Sequence, residues 1–109
     1  MNVVVKHHDL VIPATIGSDQ PAGTLVFLGD MPAVTLEPVK ANVQCGLAVG
    51  AVIEGPREPG ASWPQGTVVY WNSSNGRFTT TATGNRRVGV VVGSDVSATA
   101  ARALVLMDR

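Results

Sequence analysis

An all-β fold is predicted for this 109-residue chain from three features. Its twelve glycines and seven prolines recur at intervals of roughly a dozen residues or fewer. The runs between them are short and rich in Val and Thr, as strands are. No long helical pattern interrupts them, and even Ala98 to Leu106, helix-permissive in composition, is entered through Ser-Ala-Thr-Ala-Ala and reads as a loop followed by a strand. Such punctuation predicts one compact sandwich or barrel.

In chain order, residues 1–16 are set apart as an N-terminal arm or first strand, and residues 17–109 as the β-sandwich or barrel domain. Met1 to Leu10 carries the run Val3-Val4-Val5, then Lys6-His7-His8-Asp9. That is too short and polar for a secretory apolar region, and no stretch approaches the length of about 20 apolar residues that spans a bilayer. A product made and kept in the cytoplasm, with no membrane partner, is expected. Strands are predicted over Asp9–Ile12, Thr24–Leu28, Ala33–Leu36, Asn42–Val49, Val52–Glu54, Thr67–Trp71, Arg77–Thr81, Arg87–Val92 and Arg102–Met107. Between the fifth and sixth, Glu54-Gly55-Pro56-Arg57-Glu58-Pro59-Gly60 is rich in breakers and charge and reads as a surface loop.

The sharpest local signal is a hairpin. Thr67 to Trp71 and Arg77 to Thr81 flank Asn72-Ser73-Ser74-Asn75-Gly76, and Asn-Gly reverses a chain at low steric cost. Gly84-Asn85 supplies a second reversal before Val88-Gly89-Val90-Val91-Val92, a run apolar enough to be covered on both faces. Together the three strands read as a C-terminal β-meander.

Composition excludes several functions. Eight basic and eight acidic residues give no net charge, and Arg86-Arg87 is the only adjacent basic pair, so no nucleic-acid partner is expected. Cys45 is the sole cysteine, which rules out an internal disulfide, and its apolar neighbours Val43 and Leu47 predict a buried, inert thiol. At this size apolar burial contributes about 160 kcal/mol and chain ordering costs about as much. That balance favours association into a homo-oligomer.

Catalytic patterns are missing. No Gly-x-Ser-x-Gly elbow, dinucleotide-binding Gly-x-Gly-x-x-Gly or Gly-Lys phosphate loop occurs. His7-His8 point to opposite faces on a strand, and no Cys or nearby Glu completes a metal set. Asp9 beside them lies in a terminal segment without rigid support. Glu54 and Glu58, with Arg57 between them, read as solvated loop charges rather than an acid–base pair. No catalytic residue, metal or cofactor is therefore expected. Trp63, Tyr70 and Trp71 could stack a base or sugar, but alternation sends Tyr70 and Trp71 to opposite faces, and no basic groove accompanies them. Anchoring is their better role.

The segment Ser62-Trp63-Pro64-Gln65-Gly66-Thr67-Val68-Val69-Tyr70-Trp71-Asn72, with Gly76 to Asn85 and Val88-Gly89-Val90, resembles a family of small bacteriophage capsid cement proteins. The shared pattern is Trp, Gly, an apolar strand ending in Tyr-Trp, a turn, a Thr-rich strand, Gly-Asn, and a strand opening on an apolar residue and Gly. Gly29-Asp30-Met31-Pro32 departs from it. The resemblance implies a jelly-roll-like β fold on the outer surface of the virion, where it would bind the major capsid protein and stabilise the mature head. On the matching positions it implies structural or interface roles for Trp63, Gly66, Tyr70, Trp71, Asn75, Gly76, Gly84, Asn85 and Gly89. Two other readings stand beside it: a small β-barrel that binds a ligand through Trp63, Tyr70 and Trp71, and another virion component such as a head-completion or tail protein.

Overall fold

A computed structural model describes residues 3–8, 10–29 and 31–108. The expectations placed on Met1, Asp9 and Asp30 lie outside them. Among the described residues the chain is all-β, in ten strands: β1 (Val4–His7), β2 (Leu10–Ala14), β3 (Leu25–Leu28), β4 (Met31–Thr35), β5 (Cys45–Val49), β6 (Val52–Pro56), β7 (Val68–Asn72), β8 (Arg77–Thr79), β9 (Arg86–Val91) and β10 (Arg102–Met107). They form two antiparallel sheets, one of six strands in the order β1-β6-β10-β9-β7-β8 and one of four in the order β2-β5-β4-β3. The folded chain exposes 5697 Å², against roughly 5,700 Å² from size scaling for a compact domain of this mass.

The larger sheet curls on itself. Beyond Pro56 the chain of β6 continues into a parallel bridge between Arg57 and Phe78, and the Glu58 N–H donates to the Phe78 carbonyl at 2.8 Å. The free edge of β6 is thus shared, its first part by β1 and its continuation by β8. Phe78, wholly buried, sits inside this curl with its ring edge-on to Trp71, centroids 5.1 Å apart. Gly55 makes room for it: a Cβ there would lie 2.9 Å from the Phe78 ring and 2.8 Å from Val3. Ile53, Val69, Val91 and Val105 fill the rest of the concave face, and Leu25, Val34 and Ala48 join them from the four-stranded sheet. A smaller cluster, Ala33, Leu47 and Val49, occupies the opposite face of that sheet, as strand alternation requires of residues adjacent to Val34 and Ala48.

Several expectations are corrected. The presumed loop from Glu54 is strand as far as Pro56, and Arg57 is buried at 3% exposure rather than solvated. Glu54 is ion-paired with Arg102 at 3.1 Å, and the Glu58 carboxylate accepts a bond from the Thr79 hydroxyl at 3.3 Å. The three strands around the hairpin adjoin, but not as a consecutive meander: β7 is in the middle, with β8 on one side and β9 on the other. Both flanks of β7 are apolar, so local pattern does not say which strand takes which flank. The early segment supplies strands to both sheets, β1 beside β6 and β2 beside β5, with Val3 buried. Cys45 is half-buried, its thiol donating to the Ala14 carbonyl at 3.4 Å.

Candidate functional site

The two tryptophans are interior struts. Trp63, 3% exposed, exchanges two backbone bonds of 2.8 Å with Val96 and so ties the loop after β6 to the loop before β10. Over its ring, 4.1 Å from the centroid, lies the Arg57 guanidinium. Arg57 donates to the carbonyls of Glu58 at 2.9 Å, Ser97 at 2.5 Å and Ala61. A buried cation is tolerated when its donors are all directed at acceptors. Burial draws its pKa below the ordinary value, and the neighbouring Glu58 carboxylate acts in the opposite direction.

Trp71 points inward on β7 at 8% exposure, and Tyr70 beside it points outward, in register with Thr79 and Arg87. The three aromatics therefore do not assemble one stacking platform. The remaining singled-out positions shape turns and close approaches. Asn72 receives the N–H groups of Ser74 and Asn75 on its side-chain oxygen and that of Gly76 on its carbonyl. That makes the hairpin loop four residues long rather than five. Asn85 donates through its side chain to the Thr81 carbonyl at 2.9 Å, one residue after Gly84. The Gly66 N–H donates to the Val91 carbonyl at 2.8 Å. Gly89 is fixed by contact: a Cβ there would sit 1.8 Å from the Leu106 carbonyl oxygen.

Sequence reasoning missed a surface. On the convex face of the six-stranded sheet, Val52 faces Leu106, Leu106 faces Val90, and Val90 faces Val68 in direct register across β6, β10, β9 and β7. Leu106 is 41% exposed and the three valines are half-buried. The Val88–Val92 run is thus buried at Val88 and Val91 and half-buried at Val90 and Val92. Two ion pairs bound this row at opposite ends of β10. Arg87 and Asp108 meet at 2.6 Å at one end, and Arg102 and Glu54 at 3.1 Å at the other. The first contact raises the Arg87 pKa through its hydrogen bond and charge. Next to the second pair lies a groove of about 380 Å³ of mixed character, lined by Leu104, Val92, Val96 and Ala100 together with Ser94, Asp95 and Ser97. The available signal was that Val52, Val90, Leu104 and Leu106 are apolar at outward positions, beside Glu54, Arg87 and Arg102 on the same strands.

Among the described residues no group of three or more His, Cys, Asp or Glu is placed to hold a metal. What the molecule offers is a doubly sheeted β scaffold with apolar residues on the outer side of both sheets, a structural architecture. Comparison with known families gives the same class a name: the description Phage cement protein matches residues 5–107. The chain belongs to the phage cement protein family, a family of structural proteins associated with the phage capsid. No curated protein and no solved structure matches it.

Proposed function

We propose that this protein is a decoration protein that binds the outer surface of the major capsid protein shell and stabilises the mature head, and that it catalyses no reaction. The observation that carries the reading is the family match over nearly the whole chain. The physical design agrees with it. A protein attached in many copies needs a stiff body and a low net charge, so that neighbours do not repel one another on the lattice. In this role it has no nucleic-acid or membrane partner, needs no cofactor, and works as a dimer or trimer at a symmetry position of the shell.

The test is co-sedimentation of the purified protein with expanded heads that lack it, followed by heating of the decorated and bare heads. Saturable binding and a higher temperature of genome release are expected. Heads that neither take up the protein nor gain heat resistance would overturn the proposal.

A further inference from the structure

We propose that the outer edge of β3, at Leu25 and Phe27, takes up an extended segment of a capsid subunit as an added strand. The partner rests on the cement reading above; the edge itself follows from the hydrogen bonding. β3 stands last in the four-stranded sheet and meets β4 without a shift of register, from Leu25 opposite Val34 to Leu28 opposite Met31. The Thr35 N–H donates to the Thr24 carbonyl at 3.0 Å, and bonded pairs alternate with unbonded ones along an antiparallel ladder. Val26 and Leu28 therefore direct their main-chain groups to β4, and Leu25 and Phe27 direct theirs away from the sheet. Pro32, which has no N–H, accordingly stands opposite Phe27. The outward carbonyls that flank this window are taken: that of Gly23 accepts the Val3 N–H at 2.9 Å, and that of Gly29 accepts the Arg86 guanidinium. Between them, the two N–H and two C=O groups of Leu25 and Phe27 meet no main-chain partner among the described residues.

A cavity of about 370 Å³ lies along the same stretch, with Leu25, Val26 and Phe27 on one side and Trp71, Ser73, Gly84 and Arg86 on the other. Consecutive strand residues point to opposite faces, so a cavity that touches all three of the first set opens on the edge. Donors and acceptors alternating at strand spacing are matched by extended main chain. The other three edges are each obstructed: β1 by its bulge between Val5 and His7, β8 by the bridge from Phe78 to Arg57, and β2 by Pro13. A second copy supplies no such segment from its described residues, because its ten strands are paired within its own sheets and the long stretches between them are tied by the Gln20–Val39 and Trp63–Val96 bridges. Nor does the edge of another sheet fit, since the turns that carry Ser73 and Gly84 face β3 across the cavity. The slot admits a single chain, whose inward side chain is apolar and lies against Leu25, Phe27 and Trp71.

The experiment uses the full chain and undecorated heads. Amide hydrogen exchange is followed on the free and the head-bound protein, and head binding is measured for Ser73→Trp, which fills the slot, and for Ser74→Trp, whose position does not line it. Both serines are exposed, and thermal melts check that both variants fold. A main-chain hydrogen bond contributes about fivefold in affinity, so losing two or more of the four weakens binding roughly 20-fold or more. The expected result is that loss in Ser73→Trp, wild-type binding by Ser74→Trp, and fast exchange of the Leu25 and Phe27 amides in the free protein that slows at least about tenfold on heads. Unchanged exchange at both amides on heads, or wild-type binding by Ser73→Trp, would overturn the edge assignment and leave the cement role standing. Slow exchange at both amides in the free protein, with a larger species by light scattering, would show that a second copy holds the edge and would overturn the capsid segment as its occupant. Failure of the wild type to bind heads would overturn the cement reading and this assignment together.

Discussion

Arg57→Ala tests the account of the interior most directly. The guanidinium makes three hydrogen bonds to the carbonyls of Glu58, Ser97 and Ala61 and covers the Trp63 ring at 4.1 Å. Hydrogen bonds from a charged donor contribute about 1.5 kcal/mol each at the low end, and the ring contact about 1 kcal/mol. The gross loss is about 5.5 kcal/mol. Water reaching the vacated carbonyls and relief from desolving the cation reduce it to about 3 kcal/mol. In a domain of this size that corresponds to a fall in Tm of about 12–20 °C. Arg57→Lys keeps the charge but not the planar fork, so it should recover less than half of the loss. Differential scanning calorimetry reads the shift, and a red shift of tryptophan emission reports the loosening of Trp63. An Arg57→Ala protein melting within about 4 °C of the wild type would refute the reasoning, because the loops would then be held together by something other than this side chain.

Gly89→Ala should abolish soluble expression or lower Tm by more than 15 °C, since the added methyl meets the Leu106 carbonyl oxygen and β9 must separate from β10. Gly17→Ala, where nothing lies within 4 Å, is the control and should melt as the wild type does. Phe78→Ala empties the wholly buried site beside Trp71 and should cost about 3–5 kcal/mol, read as a lower urea midpoint at unchanged m-value. Asp108→Asn breaks only a half-exposed ion pair with Arg87 and should cost about 0.2–1 kcal/mol, a difference that 1 M salt largely removes. Deleting residues 1–8 removes β1 and the buried Val3, so the free protein should lose about 3 kcal/mol in a denaturant titration; a truncated chain of unchanged stability would refute this.

The fold class was legible because its signals are local. Asn75-Gly76 announces a reversal wherever it lies, and the Val-rich runs between breakers read as strands whether or not their partners are known. Three features were not legible, and each depends on residues far away in the chain. Gly55-Pro56 reads as a breaker pair until the Phe78 ring, 23 positions later, is seen to require the glycine. Arg57 reads as a solvated charge because one of its acceptors, the Ser97 carbonyl, lies 40 residues on. The convex apolar row exists only once β6, β10, β9 and β7 are placed side by side, an order that is not their order in sequence. Trp63 and Trp71 were found through their spacing, but their burial and the outward turn of Tyr70 follow from the register.

A protein made of two open sheets must keep its edges from pairing with one another, and the sheet edges here show how. An open edge pairs with any other open edge, so natural edges are blunted. Here β1 carries a bulge between Val5 and His7 with Lys6 inside it, and β8 is paired along the continuation of β6. In the smaller sheet β2 holds Pro13, which contributes no N–H, and the turn after β3 is engaged by Arg86, whose guanidinium reaches the Gly29 carbonyl and lies over Phe27. These features blunt the edges against strand addition from another sheet. Among Val52, Val68, Val90 and Leu106 only Leu106 is exposed, at 41%, while the three valines stay half-buried, so the apolar area offered to a free copy is small.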